Sequence, residues 1–281
     1  MTDRIAVVTG ASRGAGRGIA LELGAAGATV YVTGRSCRGS PTTEGLPGTV
    51  DDTADEVTAR GGRGIAIRCD HTLDHDVEAL FERVRRDHGH LDLLVNNVWG
   101  GYEQATRGIS FDPFWNQPLI LWDRMFTSGV RAQLVAARLA APLMLEQRRG
   151  LIVTTAPWHQ DVYLGNIFYD LAKNAARRMT LGMARELSKH GIAAVGVAPG
   201  FMRTERVLTA CAVTEENWQS VPALAVTETP AYLGRAVLAL ASDPQILSKS
   251  GSVFAVGDLA REYGFTDIDG RQPPPFSMPD A

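Results

Sequence analysis

A tyrosine and a lysine stand four residues apart, Tyr169 and Lys173, within LIVTTAPWHQDVYLGNIFYDLAK at 151–173. On a helix that spacing puts both side chains on one face, about one turn apart. A phenol beside an ammonium can act as proton donor and acceptor for a carbonyl. Such a pair wants a third hydroxyl to hold the reacting oxygen, and serine is the obvious candidate. No serine occurs between Ser128 and Ser188.

A second chemical signal lies near the start of the chain. VVTGASRGAGRGIA joins a β-branched run to a helical one and spaces Gly10, Gly14 and Gly16 as GxxxGxG, with Ser12 and Arg13 between them. Such a turn lets a backbone approach a pyrophosphate and aims a helix amino terminus at its charge. The commoner GxGxxG fingerprint is absent. About 20 residues beyond the glycines, dinucleotide folds place an acid for the ribose 2′-hydroxyl. Here Gly34 stands in that place and Arg35 follows. Two guanidinium groups, Arg13 and Arg35, and no carboxylate suit a 2′-phosphate, through charge-assisted bonds of roughly 1.5–3 kcal/mol each. The expected cofactor is therefore NADP(H) rather than NAD(H). Asp70 ends the third strand, placed to accept from an adenine amino group, and Asn96 ends the fourth near the same crevice.

The elements that must carry these residues alternate in type. Near-continuous apolar runs at 4–10, 29–34, 64–70, 91–97, 151–156, 193–199 and 252–257 suit strands buried on both faces of a parallel sheet. Helical stretches are expected at 17–23, 73–87, 120–147, 166–190 and 229–242. That alternation predicts an α/β fold, a single Rossmann-type doubly wound parallel sheet of about seven strands with helices on both faces, occupying 1–281. Residues 36–50 read as a surface loop, 99–118 and 201–227 as substrate-side loops, and 271–281 as a loose tail. The aromatics Trp99, Tyr102, Phe111, Phe114, Trp115, Trp158 and Phe168 flank the expected crevice and suit an apolar substrate.

Composition excludes other classes. The 281 residues are 45% hydrophobic and 21% charged, with net charge −3, so neither nucleic acid nor an anionic membrane is an expected partner. No run reaches the roughly 18–20 apolar residues of a membrane helix, and there is no secretory leader pattern. Three scattered cysteines read as reduced thiols, so a cytoplasmic protein is expected. His71 and His75 lack a third ligand at metal spacing and read as solvated; no metal is expected.

Five motifs in order resemble the short-chain dehydrogenase/reductases: TGASRGAG at 9–16, CD at 69–70, NNV at 96–98, Tyr169-x-x-x-Lys173, and APGFMRT at 198–204. DPFWNQP followed by LWDRM, and the stretch 247–270, are similar to one subgroup of that family. The resemblance implies an NADP(H)-dependent oxidoreductase acting on a carbonyl or secondary alcohol. Tyr169 would be the acid/base. Lys173 would bind the nicotinamide ribose and lower the tyrosine pKa. Thr204 with the backbone at Met202 would hold the carboxamide, and Pro199 and Gly200 would let the chain pass close to the ring. A homodimer or homotetramer is also implied, and the small residues Ala136, Ala137, Ala140 and Ala141 permit close helix packing.

Two members of the family's catalytic set are missing. Aligned through WDRM, the helix asparagine falls at Gly129. The serine falls at Ala156 or Pro157, depending on the end from which the count runs. Losing one oxyanion-type donor costs roughly 10²–10³ in rate, against roughly 10²–10⁴ from a positioned general acid. A slow reductase remains feasible, with Thr154, Thr155 or His159 as replacement donors. The rivals are a catalytically silent nucleotide-binding protein with a regulatory or structural role, and an enzyme reshaped for dehydration or isomerisation.

Overall fold

The computed structural model describes residues 1–103, 112–157 and 163–276. Seven strands form one parallel sheet: β1 (Ile5–Thr9), β2 (Thr29–Gly34), β3 (Arg63–Arg68), β4 (Leu93–Asn96), β5 (Gly150–Thr155), β6 (Ile192–Ala198) and β7 (Val253–Ala255). Their spatial order is β3-β2-β1-β4-β5-β6-β7. The order reverses between β1 and β4, so the crevice expected for a ligand opens at the carboxyl ends of those two strands.

The apolar runs became strands because both faces are covered. Every residue of β1 and β6 is buried. One face packs on α1 (Gly14–Ala25), α2 (Val50–Ala59), α8 (Pro230–Ser242) and α9 (Val256–Tyr263), through Ile19, Leu23, Val57, Leu233, Val237 and Leu259. The other packs on α3 (Asp74–His88) and α5 (Ala132–Gln147), through Val77, Leu80, Phe81, Val84, Leu143 and Met144. β3 departs from the expectation of two buried faces: it is an edge strand, half-exposed along its length.

The helix expected over 120–147 is three pieces, α4 (Ile120–Phe126), a π-helical turn (Thr127–Arg131) and α5. The segment 36–50 is more than a surface loop. It contains a short 3-10 turn and ends by opening α2, whose Thr49 hydroxyl accepts from Asp52 N at 3.0 Å. Within 201–227, α7 (Glu205–Ala210) is capped by Thr204. The first part of the expected loose tail is held: Pro273 O accepts from Tyr232 Oη at 3.2 Å, and Gln272 donates to Phe265 O at 2.8 Å. Ala136, Ala137 and Ala140 are buried against the sheet, so that stripe serves this chain's own core rather than a partner.

Candidate active site

A cleft of about 830 Å³ runs along the carboxyl edge of the sheet and gathers both chemical signals into one space. Ser12, Arg13 and Gly14 line one end, Tyr169 and Lys173 the other. The glycine turn has the expected backbone: Gly14 sits at φ +55°, and a Cβ on Gly16 would lie 2.3 Å from Gly10 O. The turn therefore holds the α1 amino terminus tight against β1. Its anion-binding character is visible directly, because the Glu205 carboxylate accepts from Gly14 N at 2.8 Å. A diphosphate fits that turn by the same chemistry.

The two arginines expected at the 2′-phosphate are both at the cleft, with different tasks. Arg13 donates to Pro47 O at 2.9 Å, Ser36 Oγ at 2.8 Å and Gly48 O at 3.0 Å, clamping the 36–49 loop onto the glycine turn. Arg35 pairs with Glu103 across the cleft. Asp70 accepts from Thr72 N at 3.0 Å and Thr72 Oγ1 at 2.7 Å; burial pushes its carboxyl up, but these bonds and Arg35 hold it below the usual range. Asn96 does not reach the cleft wall. It is fully buried and donates to Gln133 O at 3.1 Å, while the next residue, Asn97, lines the cleft and donates to Thr9 O at 3.1 Å. His71 is not solvated either. It is buried against Thr33 Oγ1 at 2.8 Å, and burial lowers its pKa to about 4. His75 is exposed beside Asp76, and the described residues contain no cluster able to hold a metal.

At the reacting end, α6 (Ile167–Leu187) carries Tyr169 and Lys173 one turn apart. Asn166 fixes that helix start: its Oδ1 accepts from Tyr169 N at 2.9 Å and its Nδ2 donates to Gln117 Oε1 at 2.8 Å. Burial raises the Tyr169 hydroxyl above its ordinary value, and the neighbouring Tyr102 opposes that rise. Burial lowers Lys173 to about 8. The Lys173 Nζ lies over the Trp99 ring, 4.1 Å from the centroid, and 5.7 Å from the centroid of the Tyr169 ring. Ala156 and Pro157 line the cleft without a hydroxyl. Thr155 lines it too, but spends its hydroxyl on Asn96 O at 3.4 Å, while Thr154 is fully buried and outside the lining. His159 and Trp158 lie outside the described residues, as does Phe111. Phe168 belongs to a small core with Leu121 and Met125, whereas Phe114 and Trp115 are exposed.

Pro199, Gly200, Met202 and Thr204 also line the cleft. The Thr204 side chain also caps α7, and Arg206 pairs with Glu44 to tie that helix to the 36–49 loop.

The family profile described as short chain dehydrogenase matches residues 4–211, from β1 through α7. This chain is a short-chain dehydrogenase/reductase. The resemblance to one subgroup also holds: Dehydrogenase/reductase SDR family member 1 of Mus musculus is 39% identical over 277 residues, covering 96% of this chain and 85% of that protein. A solved short-chain dehydrogenase from Mycobacterium thermoresistibile superposes with a TM-score of 0.81 at 25% identity, covering 98% of this chain and 92% of that one. A 7 alpha-hydroxysteroid dehydrogenase, solved with NADH and 7-oxo glycochenodeoxycholic acid, superposes with a TM-score of 0.71 at 25% identity, covering 96% and 95%.

Three residues at the cleft of this dehydrogenase/reductase, Glu103, Glu205 and Ser128, belong to none of its sequence motifs. Glu103, in the turn after β4, and Glu205, the first residue of the short helix α7, are acids that face the cleft from segments too irregular for periodicity to set their direction. Ser128 sits beside the absent asparagine at Gly129, and its Oγ accepts from Gly100 N at 3.0 Å, pinning the turn after β4. A serine inside the helical run 120–147 was the available signal.

Proposed function

We propose that this short-chain dehydrogenase/reductase is an NADP(H)-dependent oxidoreductase that reduces a carbonyl, or oxidises a secondary alcohol, of an apolar small molecule. The observation that carries this reading is the placement of Tyr169 and Lys173 on one wall of the cleft whose other end is the glycine turn and Arg35. A bound reduced nicotinamide would supply the hydride. Tyr169 then gives its hydroxyl proton to the developing alkoxide, and Lys173 holds the ribose hydroxyls close by. Its ammonium favours the phenolate left behind. Gly14 N and the α1 amino terminus receive the diphosphate. Arg35 takes the 2′-phosphate, exchanging one anionic partner, Glu103, for a doubly charged one.

Trp99, Tyr102 and Phe201 give the substrate side an apolar lining, compatible with a ring-bearing substrate such as the one solved with the 7 alpha-hydroxysteroid dehydrogenase. The alternative, a weak or silent nucleotide-binding protein, draws on one observation: Ala156 and Pro157, where the family's serine falls, line the cleft without a hydroxyl. A homodimer or homotetramer is part of the proposal, supported by Leu134 and Leu145 exposed on α5 and Leu171 on α6. So is a cytoplasmic location, supported by three free cysteines. No helix among the described residues is long and apolar enough to cross a membrane.

The test is a titration of NADPH and NADH by tryptophan fluorescence, followed by nicotinamide absorbance over a panel of cyclic and aromatic ketones. NADPH binds more tightly than NADH, and Arg35→Ala weakens NADPH about 10–100-fold, the loss of one charge-assisted contact, leaving NADH within about threefold. An unchanged NADPH affinity in Arg35→Ala contradicts the cofactor assignment. NADPH binding without turnover on any ketone favours the silent protein.

A further inference from the structure

The two missing catalytic-set residues leave neither space nor partners empty. Trp99 and Tyr102, from the turn after β4, occupy the surroundings of Tyr169 and Lys173. A Cβ on Gly129 would lie 2.4 Å from Trp99 Cζ3 and 2.6 Å from its Cε3. The indole therefore stands where a larger residue at 129 would begin. Its face lies under the Lys173 ammonium at 4.1 Å, and its edge meets the Tyr169 ring at 5.5 Å between centroids, 89° between planes. The Tyr102 ring stacks on Tyr169 at 6.1 Å between centroids and 28° between planes, and both side chains line the cleft. Lys173 has no ion-pair partner among the described residues, so the indole face at 4.1 Å, with the Tyr169 ring at 5.7 Å, offsets its buried charge.

The turn is built to hold this arrangement. Gly100 N donates to Ser128 Oγ at 3.0 Å, Glu103 N closes the turn onto Gly100 O at 3.1 Å, and Arg124 donates to Glu103 O at 2.7 Å. Ser128 and Gly129 both lie in the π-helical turn Thr127–Arg131, a helical irregularity that recurs at functional sites.

We propose that this turn supplies the two contacts that the asparagine and serine would otherwise make: Trp99 as the positioning residue for Lys173, and Tyr102 as the second hydroxyl at the reacting oxygen. The proposal rests on the oxidoreductase reading above. During reduction the substrate carbonyl oxygen gains a hydrogen bond from Tyr102 while Tyr169 gives up its proton to that oxygen. Tyr102 keeps its own proton throughout, and the two electrons arrive with the hydride from reduced nicotinamide.

Four variants test it, each assayed for NADPH affinity, ketone turnover and thermal stability. Tyr102→Phe keeps the stacked ring and removes the hydroxyl. It lowers kcat about 10–100-fold and leaves NADPH affinity within about twofold, the signature of a contact made in the transition state. Gly129→Asn alone clashes with the indole and lowers both melting temperature and kcat. Trp99→Ala alone lowers kcat. The Trp99→Ala/Gly129→Asn double variant recovers kcat above either single one, because the asparagine then has the vacated volume and faces Lys173. An unchanged kcat in Tyr102→Phe, or a double variant no better than its parents, overturns the proposal. Faster turnover in Trp99→Ala also overturns it, by showing the turn to be an obstruction. Absence of turnover in the wild type removes the oxidoreductase reading itself, an outcome distinct from wild-type turnover that Tyr102→Phe leaves untouched.

Discussion

Replacing Glu205 by glutamine tightens cofactor binding. In the structure the Glu205 carboxylate sits 2.8 Å from Gly14 N, at the amino terminus of α1, where a dinucleotide's diphosphate belongs. A nucleotide must therefore displace a carboxylate that already receives a charge-assisted hydrogen bond, about 1.5–3 kcal/mol when one partner is ionised. Glutamine keeps an oxygen able to accept from the same N–H, a neutral bond of about 1 kcal/mol, and carries no charge to repel the phosphates. The difference is about 1–1.5 kcal/mol, so the Kd for NADPH falls about 5–10-fold. Because the diphosphate is common to both nucleotides, NADH tightens by the same factor and the NADPH/NADH preference does not change. Isothermal titration at low ionic strength measures both constants, with the exposed Glu216→Gln as a charge-matched control. An unchanged or weaker affinity in Glu205→Gln, or a gain confined to NADPH, would refute the idea that Glu205 competes for the diphosphate position.

Other consequences follow from packing and charge. Gly16→Ala forces a Cβ to within 2.3 Å of Gly10 O and 2.8 Å of Ala11 Cα; the overpacking costs about 1–3 kcal/mol in chemical denaturation and disturbs the diphosphate turn, so nucleotide binding is lost with it. Glu228 is buried with Oε1 unpartnered among the described residues, and burial raises its pKa to about 8. The folded chain thus keeps a proton that the unfolded chain, near its ordinary 4.5, has released. Stability contributed by this group is present below pH 4.5 and is lost as pH rises toward 8. Glu228→Gln removes that loss, which is on the order of a few kcal/mol. The melting temperatures of variant and wild type diverge with rising pH in the variant's favour, and parallel curves would contradict the assignment.

Much of the framework was legible because it depends on local pattern. The buried runs at 4–10 and 193–199 are β1 and β6, and they read as strands because a parallel sheet covered on both faces tolerates almost no polar residue. Tyr169 and Lys173 were legible because helical spacing puts them on one face. The second helix was readable in principle from Thr49 and Asp52 at capping distance, but the preceding Gly, Pro and Ser residues extended the loop expectation into it. The directions of loop side chains were beyond pattern. Nothing in the spacing of Arg35 and Glu103 announces their ion pair, 68 positions apart. Asn96 and Asn97 are adjacent and chemically identical; only the pleat of β4 decides which one faces the cleft. The vacancy at Gly129 was visible in the sequence, but its filling by Trp99 depends on a turn whose path only the fold fixes.

The central claim is that Tyr169 moves the proton in a nicotinamide-coupled reaction on a carbonyl. Single-turnover oxidation of bound NADPH by the best ketone of the panel, in wild type and Tyr169→Phe, tests it most directly. Wild type oxidises the bound cofactor. Tyr169→Phe, binding NADPH within about twofold of wild type, does so about 10²–10⁴-fold more slowly, the contribution of a positioned general acid. Equal rates in the two proteins, or no oxidation by wild type on any ketone, would contradict the account.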